Sequence, residues 1–192
     1  MRACGTAEGL TTTPQLKPET EGPGGSHPWI TTMTGAPVFP LHPIGTLHTP
    51  WRTIAECPRN GRQPDPAPPC SVQVFPEFAD GLRDLEGFSH LILLYWLDQA
   101  SYGQPLFKPP FDPRPRGIFS TRAPARPNPI GLSVVRFDGF DGPGRLSVRF
   151  LDCLDGTKLL DIKPYLRTTD SEPEAAMGWL EPHATRNSNT PG

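Results

Sequence analysis

No apolar run in this chain approaches the roughly 20 residues that a helix needs to cross a bilayer. The N-terminus also lacks the continuous apolar core of a secretory signal, so a cytoplasmic protein is expected. Cysteine is scarce: Cys4, Cys57, Cys70 and Cys153 include no C-x-x-C pair and no histidine at zinc-finger distance, so no metal site is expected and reduced thiols are the default. Excess positive charge is missing too, since the formal net charge is -2. General electrostatic attraction to nucleic acid is thereby excluded, and any such contact must come from a local patch. Hydrophobic residues make up only 35% of a chain with 27 prolines and 19 glycines, which argues against long helices and for loops.

The 192 residues suit one domain with tails. Residues 1–38, rich in Thr, Gly and Pro without helical or strand periodicity, read as a disordered N-terminal extension, with Met33 a candidate native start. Residues 39–167 read as the folded domain, and 168–192 as a mobile tail with at most one helical turn. Short strands are expected at Ile44–Leu47, Ser71–Phe75, the strongly apolar Leu91–Leu97, Ile130–Phe137, Arg145–Leu151 and Leu159–Ile162. A short helix is expected over Pro76–Leu85, and Asp141-Gly142-Pro143-Gly144 reads as a hairpin connection. Strands joined by Gly/Pro turns point to a mostly β protein, a small, largely antiparallel barrel with short helices and long Pro/Gly-rich loops. His90, at the entrance of the apolar strand, suits a structural hydrogen bond better than catalysis. Asp98 and Gln99 sit where that strand emerges, a place suited to ligand contacts.

Two stretches carry chemistry. Gly117 to Ser133 sets Arg122, Arg126 and Asn128 on a loop stiffened by Pro124, Pro127 and Pro129, because each proline fixes its own φ and restricts its predecessor. Guanidinium groups on a preset loop suit carboxylate or phosphate. Lys108 to Arg126 holds five basic residues against one acidic, a local patch that could equally be a solvated face. The second stretch, Asp155-Gly156-Thr157-Lys158 followed by Leu159-Leu160-Asp161-Ile162-Lys163-Pro164-Tyr165, places a tight turn before an extended polar segment.

The pattern T-R-x-P-x-R-P-N-P-I-G-L-S, followed by D-G-T-x-x-L-D-I-K-P-Y, resembles the TsaA-like family, whose characterised members are tRNA methyltransferases of the TrmO type. The resemblance covers roughly residues 43–165. It implies a β-barrel that binds S-adenosylmethionine, N6-methylation of a threonylcarbamoyl-adenosine at position 37 in the tRNA anticodon loop, and a homodimer. It also implies cofactor contacts from Gln63, Pro64, Asp98, Gln99, Arg122, Leu132, Asp155, Gly156, Thr157 and Lys158. Arg122 is matched to the cofactor carboxylate and Leu132 to its adenine. Arg116, Arg126, Asn128 and Lys163 fall to the acceptor. No catalytic residue is identified; Asp161 and Tyr165 are the weak candidates, each also readable as structural. Many members of the family it resembles carry histidine at the position of Asp98. That departure, with the weak overall charge, keeps open a small-molecule acceptor, and a non-catalytic regulator that binds S-adenosylmethionine or RNA is the third reading.

Overall fold

The computed structural model describes residues 30–31, 37–38 and 40–184. By its internal packing the chain divides into Met1–His42 and Pro43–Gly192. In the first unit β1 (Ile30–Thr31) pairs antiparallel with β2 (Pro37–Val38). The rest of the extension read as disordered lies outside the described residues.

In the second unit, chain order runs β3 (Gly45–His48), β4 (Cys70–Val74), β5 (His90–Trp96), β6 (Leu106–Phe107), β7 (Arg116–Gly117), β8 (Ile130–Phe140), β9 (Arg145–Arg149) and β10 (Lys158–Pro164). Two short helices follow, α1 (Arg167–Asp170) and α2 (Glu181–Ala184). Six strands close a barrel in the order β10-β3-β4-β9-β8-β5, every neighbour antiparallel. β6 and β7 form a separate two-stranded ribbon. Closure leaves the six barrel strands with no unpaired sheet edge.

Period-two alternation fills the barrel. β5 sends Leu91, Leu93 and Tyr95 inward, and β8 sends Gly131, Ser133 and Val135 inward. Leu47, Val72, Leu146, Val148 and Leu159 complete a core that is almost wholly excluded from solvent. Each expected strand is present with its ends moved by a few residues. The largest extension is β8, which runs on to Phe140 past a bulge between Phe137 and Gly139. Pro76–Leu82 winds as a 3-10 helix, buries Leu82 and leaves Phe78 exposed. Part of the segment read as a mobile tail is docked: Trp179 Nε1 donates to the Ser120 carbonyl at 2.9 Å, stacks on Phe111 and lies beneath the Arg116 guanidinium. Among the described residues no helix is long and apolar enough to cross a membrane.

At Gly45 the backbone of β4 closes on that of β3. A Cβ there would sit 2.3 Å from the Gln73 carbonyl oxygen on β4, and backbone cannot rotate away as a side chain can. Gly45→Ala is expected to lower stability by about 1–3 kcal/mol, read as a reduced urea midpoint with the slope unchanged.

Candidate functional site

The proline-stiffened loop is held by its own guanidinium. Arg126 Nη1 donates to the carbonyls of Ile118 and Thr121, at 3.1 and 2.9 Å, and Thr121 Oγ1 donates to Ile118 O at 2.8 Å. Pro129 accepts from Leu97 N–H at the end of β5, which fastens the loop to the barrel. Arg122 Nη2 donates to Leu132 O at 3.1 Å, and the side chain is otherwise exposed. One arginine thus serves as scaffold while the other keeps most of its donors for a ligand.

Beside this loop lies an open cleft of about 1280 Å³ that wraps round the end of β5 and β8. Ile130, Leu132 and Val134 line it from the outward face of β8, whereas Gly131 and Ser133 line it from the inward face. Its other walls are Cys57 to Arg62, Phe150 and the segment from Asp152 to Leu154. Arg62 lies over the Phe150 ring at 4.6 Å, and Phe150 adopts a left-handed φ of 77°, a strained conformation for a bulky residue.

A buried polar group forms the floor. Tyr95 Oη donates to Asp152 Oδ1 at 3.0 Å and lies 2.8 Å from Ser133 Oγ, which itself donates to Asp152 Oδ1 at 3.3 Å. Burial, and then the Asp152 charge, push the Tyr95 phenol well above its usual range, so it remains a donor. Burial likewise raises the Cys57 thiol and lifts Cys153 to about 12, which leaves neither as a thiolate at neutral pH. Gly131, opposite Tyr95 across the strand pair, is required by this ring: a Cβ would fall 2.0 Å from Tyr95 Cε2. Among the described residues no group of three or more His, Cys, Asp or Glu could hold a metal ion.

Of the residues singled out in the sequence, the fold brings Asp98, Gln99, Arg122, Arg126, Leu132, Thr157 and Tyr165 to the cleft. Tyr165 meets the His90 ring edge-on at 6.2 Å, and His90 Nδ1 lies 2.9 Å from Ser89 Oγ. The remaining residues stand outside the lining. Gln63 Oε1 accepts from Arg59 N–H and so braces the turn that presents Arg59 to Arg62, with Pro64 just beyond it. Asp155 accepts from Thr49 N–H and pairs with Arg52 and His48, while Gly156 sits in the turn and Lys158 opens β10. Arg116 is engaged with buried Asp112 and with Trp179. Asn128 is exposed with its carbonyl accepting from Ile130 N–H, and Lys163 pairs with Asp161 at 2.7 Å, which raises the lysine.

Sequence reasoning missed Tyr95, Ser133 and Asp152. Asp152 stands three residues before Asp155, and the signal available was a second carboxylate just ahead of that turn. Its partners come from two other strands, so only the barrel register reveals the group.

Fold and cleft together define a class: a small closed barrel with an arginine-bearing loop poised over a mixed polar and apolar binding cleft. The chain belongs to the tRNA-methyltransferase O N-terminal domain family, whose model matches residues 46–171. It is 45% identical over 141 residues to an Archaeoglobus fulgidus protein named "Probable S-adenosyl-L-methionine-binding protein", covering 73% of this chain and 38% of that one. A Pyrococcus abyssi protein bearing the same description is 45% identical over 148 residues, 75% of this chain and 79% of the relative. Among solved structures, TrmO from Pseudomonas aeruginosa matches with a TM-score of 0.61 and 36% identity over 73% of this chain and 62% of that chain. The chain therefore spans well under half of the A. fulgidus relative and about three fifths of the P. aeruginosa protein.

The Arg116–Asp112 pair supports the ribbon that leads into the loop. Asp112 is held at about 2, chiefly by its hydrogen bond from Arg116 and next by Arg114 N–H. Its folded value lies below the ordinary 3.8, so the pair's stabilisation is complete above that value and is lost as pH falls through about 2. Thermal melts from pH 5 to pH 2 should show a smaller drop for Asp112→Asn than for the wild type across that window.

Proposed function

We propose that this protein is an S-adenosylmethionine-dependent methyltransferase that N6-methylates threonylcarbamoyl-adenosine at position 37 of a tRNA anticodon loop, in the cytoplasm. The observation that carries the reading is the pairing of Arg122, which keeps most of its guanidinium donors, with a cleft larger than the roughly 300–1,000 Å³ of ordinary small-molecule sites. Such a volume suits a nucleoside cofactor and an extruded acceptor base together. Family membership and the names of the relatives add support.

The donor set suits the cofactor. Arg122 has guanidinium donors left for an α-carboxylate, and the exposed side chains of Ile130 and Leu132 offer apolar cover for an adenine. When bound, the cofactor supplies a methyl group activated on a sulfonium. The chain's part is to position and to exclude water: the barrel end gives a rigid floor, and the stiffened loop sets Arg122 before any ligand arrives. On the acceptor side, an unpaired loop base could stack at Tyr165 or Phe150 while Arg59 and Arg62 face its phosphates. The reading includes a homodimer, for which the exposed Phe119 provides apolar surface.

The direct test is labelled methyl transfer from S-adenosylmethionine to tRNA isolated from cells lacking this gene, followed by nucleoside mass spectrometry. Label on threonylcarbamoyl-adenosine is expected. No label despite cofactor binding would overturn the tRNA reading in favour of a small-molecule acceptor or a regulator. For the site, Arg122→Ala should weaken cofactor binding more than tenfold, about 1.5–3 kcal/mol for a charge-assisted contact, and unchanged affinity by calorimetry would remove Arg122 from the cofactor.

A further inference from the structure

The charges lining the cleft are unevenly held. Four arginines line it, Arg59, Arg62, Arg122 and Arg126, against three aspartates, Asp98, Asp152 and Asp170. Asp98 and Asp170 are exposed, and Asp170 Oδ2 already accepts from Leu166 N–H. Asp152 is half-buried and built in: Tyr95 and Ser133 both donate to its Oδ1. Among the described residues Oδ2 has no hydrogen-bond partner, and no buried side-chain oxygen lacks one, so Oδ2 reaches solvent in the cleft. The group is braced further by the fit of the Tyr95 ring over Gly131.

A carboxylate fixed in a partly desolvated wall attracts a nearby cation far more strongly than one in open water. Two hydroxyls already occupy its inner oxygen, so the outer oxygen presents the charge. The cofactor of the proposed reaction changes charge at one atom when spent: a sulfonium cation becomes a neutral thioether. An arginine-lined cleft by itself would disfavour the cation, and Asp152 offsets that. We propose that Asp152, oriented by Tyr95 and Ser133, is the charge-recognition residue of this cleft, selecting the cationic methyl donor over its neutral spent form. This rests on placing the cofactor in this cleft, and its consequence is that the product is held less firmly than the donor.

The test is calorimetric titration of the full chain with S-adenosylmethionine, S-adenosylhomocysteine and sinefungin, whose protonated amine replaces the sulfonium. Asp152→Asn keeps an oxygen acceptor for the two hydroxyls and removes the charge. It should weaken S-adenosylmethionine and sinefungin about tenfold while S-adenosylhomocysteine changes less than twofold. Tyr95→Phe, which keeps the ring and removes one of the two donors to Oδ1, should reduce the same preference to a smaller extent. Equal weakening of all three ligands would make Asp152 a structural residue only, and unchanged preference would remove it from charge recognition; either result overturns the proposal. Should Asp152→Asn fail to fold, loss of selectivity in Tyr95→Phe supports the proposal and full retention overturns it. Arg122→Ala separates the underlying reading: if it leaves every ligand unaffected the cofactor lies elsewhere, and if it weakens all three while Asp152→Asn alters no preference, only the charge proposal falls.

Discussion

Barrel closure through β10 is the constraint on which the rest depends. β10 pairs with β3 over Lys158 and Leu159, and with β5 from Lys158 to Pro164, so one strand joins the two ends of the sheet. Closure requires a bulge between Leu159 and Asp161, and it brings the polar turn before β10 against the Thr49 segment, where Asp155 ties the two together. With the cylinder closed, alternation along β8 has only two destinations, packed interior or outer face. The cleft lies where the barrel ends and both faces become reachable.

The arginines show how tertiary structure divides a composition among tasks. Fourteen of the chain's basic residues are arginine, yet those in and just before the Gly117–Ser133 loop each have a separate use. Arg116 is consumed by Asp112 and Trp179, Arg126 holds two loop carbonyls, and Arg122 gives one donor to Leu132 and keeps the others. A planar group with five donors suits both scaffolding and ligand recognition, so residue type cannot decide between them. Trp179, outside the stretch matched by the family, strengthens the scaffold by binding the carbonyl of Ser120 just ahead of the loop.

Much of the fold was legible because it follows from local chemistry. Alternating apolar residues announced six strands, Asp141 to Gly144 announced a hairpin, and prolines 124, 127 and 129 announced a shaped loop. Of the residues singled out in the sequence, Arg122 and Leu132, which share one segment, line the same cleft. Tyr95, Ser133 and Asp152 are separated by 38 and 19 residues and meet only through barrel register. Asp155, marked as a ligand residue by the family resemblance alone, is engaged in the fold by Arg52, His48 and Thr49.

The sequence by itself determined the alternation that makes a barrel, the turns that join its strands and the stiffness of the arginine loop, since each depends on neighbours a few residues away. Tertiary structure alone decided which charges are spent inside the protein and which face the cleft. Ion pairs and hydrogen bonds form according to distance in space, and the spacing between β5, β8 and the segment after β9 exists only once the cylinder is closed.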